Sequence, residues 1–108
     1  MKRGDIVATV GRGDFSTRPR PSLIVQADAF NAHHPVITVC PLTGQTSGDG
    51  LYRVPLSPDG SNGLMKDSEI EIDQVQAIRR ERVRDVIGHV HDDVMFAVDH
   101  ALRRWLAL

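Results

Sequence analysis

The chain has one cysteine, one tryptophan and one tyrosine in 108 residues. Cys40 has no second cysteine to pair with, so an internal disulfide is excluded, and a reducing cytoplasm is the expected setting. No apolar run approaches the roughly 20 residues that a membrane-spanning helix needs. Two basic residues, Lys2 and Arg3, follow Met1, but no apolar stretch comes behind them, so a cleaved signal peptide is not expected. An excess of positive charge is missing too: 13 Lys and Arg face 14 Asp and Glu, for a net charge of −1. That balance argues against generic binding of a polyanion, whose affinity comes from cations on phosphates. Repeats, linkers and low-complexity tracts are absent. One domain over residues 1–108 is expected, long enough to close a core without disulfides or metals.

What is present is a series of short β-prone runs and one amphipathic helix. Ile6 to Val10 reads as a first strand, broken by Gly11-Arg12-Gly13-Asp14. Ser22 to Gln26 reads as a buried strand, and Asp28 to Pro35 as a loop or one helical turn. Val36-Ile37-Thr38-Val39-Cys40 is the strongest strand, rich in β-branched side chains. The glycine-rich segment Gly44 to Gly50 reads as a mobile surface loop, Tyr52 to Leu56 as a strand, and Ser57 to Gly63 as turns. Ser68 to Ile78 alternates like a long strand, but the parity slips at Asp73-Gln74, where a bulge or a change of packing face is expected. Arg79 to Arg84 suggests a short helical turn, and Asp85 to Val90 a last strand. From His91 to Leu106, the residues Val94, Val98, Ala101, Leu102 and Trp105 form one apolar stripe. Asp92 and Asp93 in its first turn and Arg103-Arg104 in its last complement the helix dipole. The expected fold class is mainly β with a C-terminal α-helix: a small, strongly curved antiparallel sheet or partial barrel with the helix over one face.

The charges are clustered. Arg12, Arg18 and Arg20 fall together, as do Arg79, Arg80, Arg82 and Arg84, and acidic residues gather between Asp67 and Asp73. A local basic groove and a pair of solvated charged faces are both open readings. His33-His34 in a loop and His89-x-His91 at the helix start could in principle serve as acid and base. The His-x-His pair with Asp92-Asp93 resembles a fragment of a metal site. It lacks the third ligand and supporting contacts that such a site requires, and an acidic helix start accounts for the same residues. No metal and no cofactor is expected.

The ordered motifs resemble the MazF/PemK family of toxins from type II toxin–antitoxin systems. Lys2-Arg3-Gly4-Asp5-Ile6-Val7 looks like the family's start, and Arg20-Pro21-Ser22-Leu23-Ile24-Val25-Gln26-Ala27-Asp28-Ala29-Phe30-Asn31 like its Arg-Pro-strand-Asp-Ala-Phe-Asn stretch. Pro41-Leu42-Thr43, Gly63-Leu64-Met65-Lys66-Asp67-Ser68 and Asp73-Gln74 look like further family motifs in the family's order. The resemblance implies an SH3-like barrel of the MazF/CcdB type with a C-terminal helix. It implies a sequence-specific, metal-independent endoribonuclease that cuts single-stranded RNA, in which the substrate's 2′-hydroxyl attacks the adjacent phosphorus. It also implies a homodimer, an antitoxin with an acidic and partly disordered segment that inhibits it, and a cytoplasmic toxin that arrests translation and growth.

Such chemistry must place the nucleotide in line, neutralise charge on the phosphoryl oxygens and move protons. The resemblance puts Arg20 and Thr43 at the catalytic positions. Arg20 offers a planar fork of donors to phosphate, and Thr43 a hydroxyl that can hold a phosphoryl oxygen. An arginine is a poor general base, so the proton-transfer groups are left unassigned. Candidate RNA contacts are Phe15, Arg18, Gln45, Asp73 and Gln74. For Phe15 the readings are stacking on a base or a core staple; for Gln45, RNA contact or loop support. For Asp73 they are hydrogen bonds to a base edge or 2′-hydroxyl, or a structural role at the slip. Two departures from many relatives are the short loop Gly11 to Pro19 and Glu71, where some carry an arginine. They leave open a catalytically inactive barrel that only binds RNA or a partner. A second alternative is a gyrase poison of the CcdB type, suggested by Trp105 near the end of the helix. The position of Trp105 on the apolar stripe favours core packing instead.

Overall fold

A computed structural model of the chain describes residues 1–10 and 19–108. Seven strands and a C-terminal helix follow in order: β1 (Asp5–Thr9), β2 (Arg20–Ile24), a single helical turn α1 (Asp28–Asn31), β3 (Val36–Thr43), β4 (Arg53–Leu56), β5 (Ser68–Glu71), β6 (Gln76–Arg79), β7 (Val83–His89) and α2 (Asp92–Leu106). All the strand pairs are antiparallel, and the sheet runs β4-β5-β3-β2-β1-β7, with β6 also on β3. This is the mainly-β sheet with a C-terminal helix that the sequence pattern predicts. Register shifts between β1 and β7, at Ile6/Val7 and Val7/Thr9, bend the sheet.

β3 is the hub. It runs three residues beyond the apolar segment that announces it, through Pro41 and Leu42 to Thr43. On one side it pairs with β2; on the other, its first half pairs with β6 and its end with β5. The single long strand expected from Ser68 to Ile78 is therefore two short ones. A 3-10 turn over Ile72–Gln74 divides them at the parity slip, so the chain turns there rather than bulging within a strand. A second 3-10 turn, Arg80–Arg82, stands where the arginine-rich segment suggests one.

Alternation splits the apolar residues between two faces. The main core holds Ile6, Leu23, Cys40, Leu42, Val54, Ile70 and Ile72 under α2, whose Val98 and Ala101 are fully buried. A smaller cluster of Val7, Ile24, Ile37 and Val39, flanked by Ile78 and Val83, lies on the other face. Trp105 departs from the expectation of a core residue. It is 48% exposed at the end of α2 and packs against the Tyr52 ring, centroids 5.8 Å apart.

The turn after β4 comes back to β7. Asn62, fully buried, donates from Nδ2 to the Ser57 carbonyl (2.8 Å) and accepts from the Leu64 and Asp59 amides. The His89 amide donates to the Ser61 carbonyl at 3.0 Å. Gly88 makes this approach feasible, because a Cβ there would lie 2.3 Å from the Asn62 carbonyl carbon and 2.6 Å from the Ser61 oxygen. The two ends of the sheet are thereby drawn together around the core.

Candidate RNA-cleaving site

Arg20 opens β2. Pro21 disfavours a helical backbone in the residue before it and so favours the extended conformation from which the Arg20 side chain leaves the sheet. Arg20 pairs with Thr9 of β1, and the Thr9 hydroxyl donates to the Arg20 carbonyl at 3.1 Å while lying 3.2 Å from the Ser22 hydroxyl. Thr43 closes β3. In the β2–β3 ladder Ser22 stands opposite Pro41, and continuing that register by two residues sets Arg20 opposite Thr43. Cross-strand partners share a face and lie about 5 Å apart at Cα. The two residues singled out by their motifs, far apart in sequence, thus stand at neighbouring ends of β2 and β3, two residues past the Ser22–Pro41 pair.

The Thr43 hydroxyl accepts a hydrogen bond from the Gln45 amide at 3.1 Å. With one lone pair occupied, its own hydrogen is free to point at an incoming oxygen. Gln45 is exposed just beyond. Phe15 and Arg18, the other two candidates from this region, lie outside the described residues.

On the far side of Thr43, its β5 partner is Glu69. Glu69 is 3% exposed, and no motif in the sequence points to it. Its carboxylate accepts from the Ser47 amide (3.0 Å), the Ser47 hydroxyl (3.1 Å) and the Gly48 amide (2.8 Å). These donors hold its pKa below the ordinary carboxylate value, in spite of burial. The segment expected to be a mobile loop is tied to the sheet at this carboxylate. Glu69 is accordingly a fixed anion with its acceptor sites in use, unsuited to take a proton from a substrate hydroxyl.

Asp73 and Glu71 converge with Glu69 on Arg53 of β4. Arg53 Nε donates to Asp73 Oδ1 at 2.7 Å and Nη2 to Oδ2 at 3.2 Å. Glu71 and Glu69 stand 3.4 and 3.7 Å from the same guanidinium. The fork on Asp73 lowers its pKa and raises that of Arg53. Asp73 is thus held by a cation from a neighbouring strand, while Gln74, beside it on the 3-10 turn, is exposed. Arg53 escapes sequence reasoning because nothing marks it as more than a strand residue. The available signal is the shared parity of Glu69, Glu71 and Asp73, which places three acids on one face in need of a cation.

The histidines lie elsewhere. His33 and His34 precede β3, at the opposite end from Thr43, with the roughly 23 Å length of the strand between them. His89 ends β7 beside Asp5, whereas Arg20 lies at the Thr9 end of β1. His91, at the N-cap of α2, turns to Ser61 (3.2 Å) and Asp59 (3.5 Å). The arginine-rich turn is also occupied in part: Arg80 donates to the backbone carbonyls of His34 and Asn31.

Residues 2–106 match the family model described as PemK-like, MazF-like toxin of type II toxin–antitoxin system. A probable endoribonuclease MazF of Mycolicibacterium smegmatis is 34% identical over 108 residues, covering 100% of this chain and 98% of that one. Endoribonuclease EndoA of Bacillus subtilis is 34% identical over 111 residues, covering 100% of this chain and 96% of that one. Among solved structures, Mycobacterium tuberculosis toxin MazF-mt6 superposes with a TM-score of 0.81 at 25% identity, over 96% of this chain and 97% of that one. By sequence and by fold, the chain belongs to the PemK-like, MazF-like family of type II toxin–antitoxin toxins.

Proposed function

We propose that this toxin is a sequence-specific endoribonuclease that cleaves single-stranded RNA without a metal, with Arg20 and Thr43 as its catalytic residues. What supports the reading is the β2–β3 register, which runs from Ser22–Pro41 toward Arg20 and Thr43 at the neighbouring strand ends. Arg20 clamps the scissile phosphate and offsets the charge that grows on its oxygens as the 2′-hydroxyl attacks. Thr43 donates its hydroxyl to a phosphoryl oxygen, its orientation fixed by the Gln45 amide. The P–O5′ bond breaks, leaving a cyclic phosphate and a 5′-hydroxyl. Gln45 and Gln74, both exposed, serve as RNA contacts. Asp73 is assigned to RNA binding by motif position, Phe15 by its stacking face and Arg18 by its charge, and Asp73 reaches RNA through whatever lone pairs Arg53 leaves it.

The protein acts as a homodimer in the cytoplasm, and a cognate antitoxin inhibits it by laying an acidic, partly disordered segment across the RNA site, ordering as it binds. Against the gyrase-poison alternative stand the match to the PemK-like, MazF-like family model and the similarity to proteins named endoribonucleases, since Trp105 is half exposed beside Tyr52. Incubation with a long mixed-sequence RNA in EDTA tests the function. Discrete fragments with 5′-hydroxyl ends are expected. Uncut RNA, or cleavage that requires a divalent ion, refutes it. Light scattering checks the dimer, which a monomer at micromolar concentration would contradict.

A further inference from the structure

Thr43 has Arg20 on its β2 side. On its β5 side, another cation reaches back toward it. Lys66 lies two residues ahead of β5, and its carbonyl accepts a hydrogen bond from the Ser68 hydroxyl at 3.1 Å, which ties it to the strand start. From there its side chain folds over Gly44, the residue after Thr43. A Cβ built on Gly44 would stand 2.3 Å from Lys66 Cε, 2.6 Å from Nζ and 3.5 Å from Cδ. The Gly44 backbone does not have positive φ, unlike Gly4, Gly48 and Gly63, so no left-handed conformation demands glycine there. What glycine supplies at 44 is room for the lysine.

The electrostatic setting agrees. Glu69, the buried carboxylate beside Thr43, is taken up by Ser47, Gly48 and Arg53. Among the described residues, Lys66 forms no ion pair, and it is exposed to solvent. Glu69 is the β5 partner of Thr43, so Lys66 lies three residues further along, and its long side chain spans that interval to reach Gly44. The Lys66 ammonium is thus placed against the residue that follows Thr43, on a protein with no overall positive charge.

We propose that Lys66 is a second phosphate-binding cation of the RNA site, seated over Gly44 beside Thr43, and that Gly44 is small in order to seat it. The inference rests on the ribonuclease reading and adds a specific ligand contact to it. Lys66 holds the scissile phosphate or its neighbour as a point charge, complementing the directional fork of Arg20.

The test is binding of a short single-stranded RNA that carries one mapped cleavage site, with a 2′-deoxy nucleotide at that site so that it cannot be cut. Affinity is measured across a salt series for the wild type, Lys66→Gln, Lys66→Arg, Gly44→Ala and the Lys66→Gln/Gly44→Ala double variant. Loss of one phosphate contact should weaken binding by about tenfold at low salt and reduce the slope of log affinity against log salt by about 0.7. Lys66→Arg should keep most of the affinity and the slope. Gly44→Ala displaces only the end of a flexible side chain, so it should leave the thermal midpoint intact while reproducing the loss. In the double variant the alanine should add nothing further. If Lys66→Gln binds with wild-type affinity and slope while the wild type cleaves the all-ribose RNA and Arg20→Ala does not, this inference fails and the ribonuclease reading stands. If the wild type neither binds nor cleaves RNA, both fail. An alanine at 44 that costs as much in the Lys66→Gln background obstructs RNA directly, and overturns the seating role of Gly44.

Discussion

Replacing Arg53 with methionine removes the one cation that, among the described residues, forms ion pairs with Glu69, Glu71 and Asp73. The side-chain exposures are low: 17% for Arg53, 4% for Glu69, 14% for Asp73 and 20% for Glu71. At an effective dielectric of 20, an ion pair at about 4 Å has a Coulomb energy of roughly 4 kcal/mol before desolvation is subtracted. Removing one partner of a buried pair costs about 3–5 kcal/mol, because the other charge is left uncompensated. Arg53 is not wholly enclosed, so the lower end applies, about 3 kcal/mol, or a fall in Tm of about 12 °C for a domain of this size. The pH dependence should also change sign. In the wild type the depressed pKa of Asp73 contributes stability above its unfolded value, which is lost as pH falls through the folded value. Without the guanidinium, burial, which already opposes the shift in the wild type, raises the folded pKa of Asp73 instead. The variant should then regain stability as pH is lowered from 7 toward 5, while the wild type does not. Thermal melts of both proteins at a series of pH values measure this. A Tm loss under about 3 °C, or a pH profile parallel to the wild type's, would refute the account of the cluster.

Three other outcomes follow from the structure. Gly88→Ala should lower the urea midpoint, at a cost of about 1–3 kcal/mol, since its Cβ meets the backbone of Asn62 and Ser61, which cannot swing aside as a side chain can. Cys40, fully buried with its thiol pushed up to about 12 by desolvation, should resist thiol reagents at neutral pH and react only as denaturant unfolds the core. Wild-type stability should hold steady from neutral pH down to the ordinary carboxylate values of 4.5 for Glu69 and 3.8 for Asp59 and Asp73, then fall below them; calorimetry showing loss already near pH 6 would contradict the anchoring role of these groups.

The fold is legible in the sequence wherever local chemistry agrees with tertiary context. The β-branched run from Val36 and the stripe from Val94 to Leu102 appear in the structure as β3 and α2 because alternation and helical period alone decide which face is buried. Local pattern fails where a contact from elsewhere decides. Residues 72–74 form a 3-10 turn because β3 accepts two successive partners, β5 and then β6. Trp105 lies on the stripe, but at the last turn of α2 it packs against the ring of Tyr52, just ahead of β4, and stays half exposed. In the site, Arg20 and Thr43 are marked by motifs, and their adjacency follows from the β2–β3 register. Glu69 and Arg53 carry no such mark, and Lys66, though it lies within a motif, has no role assigned by it. Their positions beside Thr43 depend on the pairing of β3 with β5 and of β5 with β4, which neither segment encodes by itself.

The central claim is that the Arg20–Thr43 pair cleaves RNA, and single-turnover cleavage of one mapped RNA site in EDTA tests it most directly. Arg20→Met, compared with the wild type at saturating enzyme, should lower the cleavage rate by about 10²–10³-fold, the loss expected on removing one charge-stabilising donor. Circular dichroism should show the fold unchanged, since Arg20 is exposed. A correctly folded Arg20→Met variant that cleaves within a few-fold of the wild-type rate would contradict the account.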